Sequence, residues 1–296
     1  MQYLDNFFIY LKNNEKTKRV LCNSILLSKF ANPNIYKKMK QLKFLMLAFT
    51  LLMGVSLTSC MGDSDPNVDQ PAFLKLVSTY PVYVFQYGGD GLKVNATNST
   101  DLMINNSSSE LSEGDIVYLS YHYNTEEQPI TNETKSIDAK ITIGHNCSAG
   151  TRAVVQDDNG ADYENATVVS VPSFSEGGMF YYDKNTLISG VTFLAKESLY
   201  KHDFTLVYDR SAEVVEGEED ILKLYLRHRN NEEKPTEQVG VFKAYDISEC
   251  LDAFGKTPTK IRIYANETDK SGSCSLDDAK SKLEYDEIEY KSVFGK

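Results

Sequence analysis

Apolar and polar side chains alternate strictly along the stretch Leu222-Lys223-Leu224-Tyr225-Leu226-Arg227-His228. This period of two is typical of a β-strand with one buried face. Leu222, Leu224 and Leu226 share one face, and Lys223, Tyr225 and Arg227 share the other. We expect the leucine face to pack and the opposite face to be wet.

Similar short segments, divided by turn residues, fill the chain on both sides of this stretch. The upstream group predicts five or six strands of a small barrel, at 73–77, 82–85, 92–94, 101–104, 114–123 and 137–143. The second group, which includes 222–228, predicts a two-sheet sandwich with further strands at 154–155, 167–171, 179–182, 191–195, 204–208, 239–245 and 260–264. Asn159-Gly160 predicts a tight hairpin turn. Only 277–283 has a helical pattern. The predicted fold is all-β, with a barrel domain at 72–150 and a sandwich domain at 151–296.

A secretion signal precedes the strands. Lys40 and Lys43 lead into an uncharged apolar run at 44–57, which is too short for a membrane span of about 20 residues. The sequence Leu57-Thr58-Ser59-Cys60 follows and resembles the lipobox of bacterial lipoproteins, in which the cysteine thiol receives diacylglycerol and the leader is cut before it. We expect a signal peptide at 39–59, lipidation of Cys60 and a tether at 60–71. An ordinary signal peptide with an incidental cysteine is the alternative.

If residues 1–38 were part of the protein, the basic residues of this signal, Lys40 and Lys43, would lie far from the chain start. Met39 is therefore the better start, and 1–38 is interpreted as translated upstream sequence; a cytoplasmic extension is the alternative. The 296 residues carry a formal charge of −11. Without the nine basic and two acidic residues of 1–59 the charge is −18. Such an acidic chain lacks the basic stripe that binds nucleic acid.

The lipobox, the tether and the strand patterns at 113–121, 222–230 and 239–247 together resemble the NigD-like lipoproteins of Bacteroidetes. That resemblance implies an OB-like N-terminal domain followed by a C-terminal β-sandwich. It also implies an outer-membrane lipoprotein, on the periplasmic or cell-surface face, and our leading hypothesis is that its two β domains bind another protein. The founding member of the family sits in a bacteriocin gene cluster. The family has no catalytic residues to transfer to this chain.

Local motifs of metal, nucleophile or nucleotide chemistry are absent from the sequence. We therefore expect no enzymatic activity, no catalytic residue, no cofactor and no metal. Zinc at His122, His145 and Cys147, and calcium at 157–162, are weaker alternatives to solvent-facing strand histidines and an acidic turn. The acidic stretch 213–220 is interpreted as a solvated loop.

Two further features leave alternatives open. Cys250 and Cys274 form a disulfide in one interpretation, which an oxidising envelope permits, and are unpaired core residues in the other. The chain has 19 Tyr and no Trp. Glycan binding by ring stacking, at Tyr181, Tyr182, Tyr225 and Tyr245, is the alternative to protein binding, although core packing explains most tyrosines.

Overall fold

The computed structural model describes residues 66–88, 91–105, 111–172, 177–196, 199–280 and 283–294. The predicted extension, the signal peptide and Cys60 lie outside these residues. The chain divides into two compact units, 1–70 and 71–296. Of the first unit only 66–70 are described, and five residues of the predicted tether, 67–71, belong to the first strand. Within the described residues, no helix is long and apolar enough to cross a bilayer.

Five strands close the N-terminal barrel, in the order β1-β2-β3-β5-β4. The strands are β1 (Asn67–Ser78), β2 (Val84–Gln86), β3 (Lys93–Ala96), β4 (Ile116–Asn124) and β5 (Ser136–Asn146). β3 and β5 run parallel, whereas β2 pairs antiparallel with β1 and β3, and β4 antiparallel with β5. A short helix, α1 (Ser99–Asn105), connects β3 to β4. A five-stranded barrel of this kind is OB-like, so the predicted barrel is confirmed.

The barrel core follows from strand alternation. Leu74 and Leu76 of β1 point inward and are fully buried, as are Phe85 of β2 and Val94 of β3. Their neighbours in sequence face outward, as the pleat requires. Hydrophobic burial therefore sets the register of the barrel.

The predicted strand at 101–104 is wrong, because these residues belong to α1. The Ser99 hydroxyl donates to Ala96 O at 2.8 Å and accepts from the Tyr83 backbone N–H at 2.9 Å. Serine at a helix start competes well with extended backbone. Leu102 is buried, whereas Met103 is 40% exposed, so one face of the helix covers the barrel.

Two sheets form the C-terminal sandwich, which confirms the second half of the predicted fold. The five-stranded sheet has the order β13-β12-β10-β9-β6, and the three-stranded sheet has the order β11-β8-β7. Their strands are β6 (Thr151–Gln156), β7 (Met179–Tyr181), β8 (Thr186–Ala195), β9 (His202–Asp209), β10 (Ile221–Asn230), β11 (Glu237–Asp246), β12 (Lys260–Ala265) and β13 (Glu284–Glu289). The helices α2 (Ser248–Phe254) and α3 (Lys291–Phe294) follow β11 and β13. Single 3₁₀ turns occur at Ala161–Tyr163, Leu199–Lys201 and Leu276–Asp278.

β10 has the predicted alternation. Leu222, Leu224 and Leu226 are at most 2% exposed and pack in the sandwich core. The opposite face is not uniformly wet, because Arg227 is only 4% exposed. The loop after β6 covers Arg227 through Asn159 O and Glu164.

The predicted hairpin at Asn159-Gly160 is wrong. β6 pairs in parallel with β9, and the chain then enters the Ala161–Tyr163 turn. Gly160 has a φ of 70°, and a Cβ there would lie 2.5 Å from a methyl of Val207. Residues 165–171, which we call the strap, make only isolated bridges, Ala166 to His228, Val168 to Glu267 and Ser170 to Thr192.

Candidate functional site

Three tyrosines line up across the outer face of the five-stranded sheet. Tyr225 of β10 lies opposite Tyr264 of β12, which lies opposite Tyr285 of β13. The ring centroids of Tyr225 and Tyr264 are 5.3 Å apart with an interplanar angle of 21°, and those of Tyr264 and Tyr285 are 5.4 Å apart. Tyr285 is 53% exposed. We call these three residues the tyrosine row.

Two arginines occupy ring faces of this row. The Arg262 guanidinium carbon lies 4.4 Å from the ring centroid of Tyr285 and 5.8 Å from that of Tyr264. The guanidinium of Arg227 lies 5.2 Å from the Tyr225 centroid. Arginine guanidiniums and neighbouring rings thus lie against at least one face of each ring, and Tyr285 is the most exposed of the three.

Ion pairs hold Arg262 in place. It contacts Glu287 at 2.6 Å and Glu218 at 2.8 Å, and it donates to the Tyr264 hydroxyl at 3.0 Å. Burial works against the guanidinium charge, but these hydrogen bonds together raise the pKa of Arg262 above its ordinary value. Two lysines pair with the same carboxylates: Lys223 with Glu218 at 2.7 Å and Lys260 with Glu287 at 2.9 Å. The surface is therefore ordered before any ligand arrives.

Of the four tyrosines predicted to stack on a ligand, only Tyr225 belongs to this surface. Tyr245 is 1% exposed in the sandwich core, so it is unable to meet a glycan. Tyr181 packs edge-on against Tyr290 and Phe294. The Tyr182 hydroxyl donates to Gln86 O and accepts from the Lys75 backbone N–H, which ties the sandwich to the barrel. Sequence reasoning missed Tyr264 and Tyr285, since only strand register brings them beside Tyr225.

The three cysteines that the structure describes, Cys147, Cys250 and Cys274, are free thiols. The thiol of Cys250 contacts Val154 O on β6, whereas Cys274 O accepts from Thr167, beside His228 of β10. β6 and β10 are two strands apart, about 10 Å, which exceeds disulfide reach. This separation agrees with the interpretation in which Cys250 and Cys274 are unpaired. Burial raises the pKa of the Cys250 and Cys147 thiols to about 12.

Within the described part of the chain, no three His, Cys, Asp or Glu side chains are grouped to hold a metal ion. His122 is exposed on the barrel, whereas Cys147 is fully buried. In the acidic turn, Asp158 accepts from the Gly160 backbone N–H at 2.7 Å and Asp157 pairs with Arg210 at 2.8 Å.

A second polar cluster lies inside the sandwich. His202 Nδ1 and His228 Nε2 are 3.0 Å apart, and His228 Nδ1 lies 3.0 Å from Thr167 O. Lys243 donates to Ala149 O at 2.8 Å, and its ammonium lies 5.1 Å from the Phe204 ring centroid. The histidines and Lys243 are at most 1% exposed. Burial lowers the pKa of His228 to about 3 and that of Lys243 to about 8.

Comparison with known proteins identifies similar solved structures. A candidate lipoprotein from Bacteroides fragilis matches with a TM-score of 0.55 and 22% identity, over 76% of this chain and 99% of that chain. A NigD-like immunity protein from Bacteroides caccae matches with a TM-score of 0.40 and 16% identity, over 69% of this chain and 89% of that chain. A Parabacteroides merdae protein matches with a TM-score of 0.44 and 13% identity, over 75% of this chain and 99% of that chain.

No family model and no curated protein matches the sequence. The strand patterns predicted a NigD-like resemblance, and a protein of that description is among the similar structures. The chain is similar in fold to the Bacteroides fragilis lipoprotein.

Proposed function

We propose that this protein is a non-enzymatic lipoprotein of the bacterial outer membrane that binds another protein. The anchor is supported by the sequence from Lys40 to Cys60, where a basic head and a short apolar run end in a lipobox. More than one acyl chain on Cys60 holds a protein on a bilayer without a membrane-spanning helix. The fold shared with a candidate Bacteroides lipoprotein agrees with this assignment.

The tyrosine row is the observation that best supports protein binding. Tyrosine and arginine are enriched at the centres of protein interfaces, where ordered side chains lose little entropy on binding. Here the ion pairs of Arg262 fix the rings in advance. Alternating Lys, Arg and Glu around the rings match the charged rim of such an interface. The partner that fits this surface is a folded protein domain with its own polar and aromatic groups.

Glycan binding is the second candidate, because Tyr225 and its two neighbours are the aromatic side chains of one surface. A sugar stacks on the open face of a ring. In the tyrosine row each ring has at least one face against an arginine or another ring, which reduces the area on which a sugar could stack. This geometry favours the protein partner.

Fractionation of cells that carry Cys60→Ala tests the anchor. We expect the variant to lose fatty-acid labelling and to leave the membrane fraction, whereas the matched control Cys274→Ala stays there. Retention of Cys60→Ala in the membrane fraction would contradict the lipid anchor.

A photo-crosslinking amino acid placed at Tyr285 tests the binding surface in intact cells. We expect a discrete protein adduct at this position that the second-site change Arg262→Ala removes. The same probe at Tyr80, which is 84% exposed on the barrel, serves as the control. Equal adducts at both positions would refute the surface. Sub-millimolar glycan binding that Tyr225→Ala abolishes would favour the second candidate.

A further inference from the structure

The two edges of the five-stranded sheet differ in what lies beside them. At the β6 edge, the Thr151 hydroxyl donates to Ala244 O of β11 at 2.8 Å. The Cys250 thiol of α2 contacts Val154 O of the same strand. At the opposite edge, β13 pairs with β12, and among the described residues no strand pairs with the side of β13 away from β12. We call that side the outer edge; an edge strand is where a strand of another protein can add to a sheet.

β13 continues the tyrosine row and the charges beside it. Opposite residues of an antiparallel pair point to the same face of the sheet. Three such pairs join β12 to β13 on the face of the row: Tyr264 with Tyr285, Arg262 with Glu287, and Lys260 with Glu289. An aromatic pair is therefore followed by two pairs of opposite charge.

The two carboxylates of this face are engaged unequally. Glu287 contacts Arg262 at 2.6 Å and Lys260 at 2.9 Å. Glu289 is 57% exposed, and its contact with Lys260 is 3.7 Å long. Because an ionised carboxylate accepts several hydrogen bonds, Glu289 has capacity for a second cation at the outer edge.

The charge of β13 determines which strand fits the outer edge. Four of its six residues are acidic: Glu284, Asp286, Glu287 and Glu289. Pairing with β13 of a second copy would bring carboxylates against carboxylates, and like charges destabilise neighbouring strands. Acidic side chains thus keep this edge from pairing indiscriminately, whereas a strand with basic residues meets charges of the opposite sign.

We propose that the partner of the tyrosine row adds a β-strand to the outer edge of β13, antiparallel to it, with a basic residue opposite Glu289 and an aromatic residue opposite Tyr285. β12 has this spacing, since Lys260 and Tyr264 lie opposite the same two residues. The added strand would extend the row by a fourth ring. This inference rests on the proposed protein binding at the row, and it names the chemistry of the segment that binds.

A peptide tests the outer edge on the chain from Cys60 to Lys296. The probe is a synthetic peptide that copies residues 259–266 of β12, Thr-Lys-Ile-Arg-Ile-Tyr-Ala-Asn. Every second N–H of an edge strand points away from its neighbour. At about ten times the Kd of the peptide, we therefore expect about 10-fold slower hydrogen exchange at alternate amides of 284–289. The amides of β6, at 152–156, should be unchanged.

A matched control peptide carries Glu in place of both Lys and Arg. We expect it to leave the β13 amides unchanged at the same concentration, because it repeats the charge of the edge. This comparison uses the wild-type protein, so it does not depend on how a variant folds. No effect of the basic peptide up to about 1 mM, or an equal effect of the acidic one, would overturn the proposal.

Glu289→Lys turns one cross-strand attraction into a repulsion. We expect the basic peptide to bind this variant about 5-fold more weakly, measured by fluorescence anisotropy of the labelled peptide. Glu249→Lys makes the same change of charge on α2, beside the β6 edge, and should leave the affinity unchanged. Equal weakening in both variants would show an effect of net charge alone and would overturn strand addition.

The photo-crosslinking probe at Tyr285 separates this inference from the proposed function. In cells, we expect Glu289→Lys to remove the protein adduct and Glu249→Lys to retain it. An adduct that survives Glu289→Lys would overturn strand addition and leave protein binding at the tyrosine row standing. If the probe gives no adduct in the otherwise wild-type protein, the proposed function fails, and binding of the basic peptide alone decides whether the outer edge accepts a basic strand.

Discussion

The barrel and the sandwich are both β structures, but the side chains that they bury differ in chemistry. Among the described residues, the buried polar side chains of the barrel are uncharged, Ser99 and Asn146. The buried polar side chains of the sandwich include six ionisable ones, at His202, Arg227, His228, Lys243, Arg262 and Glu267. The barrel therefore relies on apolar packing, whereas the sandwich also relies on buried charges and histidines that need specific partners.

This difference determines how the stability of each region responds to mutation and to pH. An apolar core loses stability when volume is removed, whatever the pH. A core with buried ionisable groups loses stability when a partner is removed or a proton is added. Four experiments examine this contrast.

The largest effect is expected from Arg227→Leu in the sandwich. Arg227 and Glu164 are 4% and 5% exposed and lie 2.9 Å apart, so the substitution leaves a carboxylate buried without its cation. We expect a loss of about 3–5 kcal/mol in the free energy of unfolding, measured by urea denaturation. Arg210→Leu breaks an ion pair with Asp157 whose side chains are 53% and 74% exposed, and it should cost less than about 1 kcal/mol. Equal losses in the two variants would contradict the role of burial.

Leu76→Ala examines the barrel. Leu76 is fully buried in β1, and its truncation leaves a cavity among apolar neighbours. We expect a loss of about 3 kcal/mol in the same measurement. The loss should be the same at pH 7.5 and pH 5, because no histidine or carboxylate is among the described core residues of the barrel. A loss that differs between the two pH values would contradict the claim that the barrel core does not respond to pH in this range.

The pH dependence of stability is the third test. The pKa of His228 falls to about 3 on folding from an ordinary 6.5, so its contribution is fully present above pH 6.5 and is lost as the pH falls toward 3. Between pH 7.5 and pH 5 this amounts to about 2 kcal/mol of unfolding free energy. In His228→Phe, we expect the fall between these pH values to be smaller by that amount. An identical fall in both proteins would show that His228 titrates normally.

The smallest effect is expected at the tyrosine row. Tyr264→Leu keeps an apolar side chain on β12 but removes the stacking on Tyr225 and the hydroxyl that accepts from Arg262. A double-mutant cycle with Tyr225→Leu should give a coupling of about 0.5–1.5 kcal/mol. Tyr80→Leu, on the exposed loop after β1, supplies the comparison and should show no coupling to Tyr225. Zero coupling between Tyr225 and Tyr264 would mean that the rings are not held as a unit.

The sequence predicts the strands whose alternation is clear, such as β1, β4, β10 and β11. It misses elements that depend on partners far along the chain. β13 is mostly acidic, and its two apolar residues, Tyr285 and Ile288, are three positions apart, so it lacks the period of two; only pairing with β12 makes it a strand. The helix α2 spans seven residues and has too few turns for a visible period.

The tyrosine row and the burial of Arg227 show the same limit of prediction from sequence. Strand assignment from the sequence places Tyr225 on an outer face. The tyrosine row forms because β12 runs parallel to β10 in a register that places Tyr264 opposite Tyr225. Alternation predicts that Arg227 is exposed, but a loop some 60 residues upstream covers it. Local pattern gives the face of a side chain, whereas long-range pairing decides its neighbours.

Under the proposed lipidation of Cys60, the start of β1 at Asn67 sets how far the barrel would reach from a membrane. A lipid on Cys60 leaves seven residue steps to the first barrel strand, which span about 25 Å at full extension. That length is about three to five times the thickness of the headgroup region of one leaflet, which is about 5–8 Å. A partner of the barrel would then have to be a neighbour in the same membrane or a molecule that comes down to its surface.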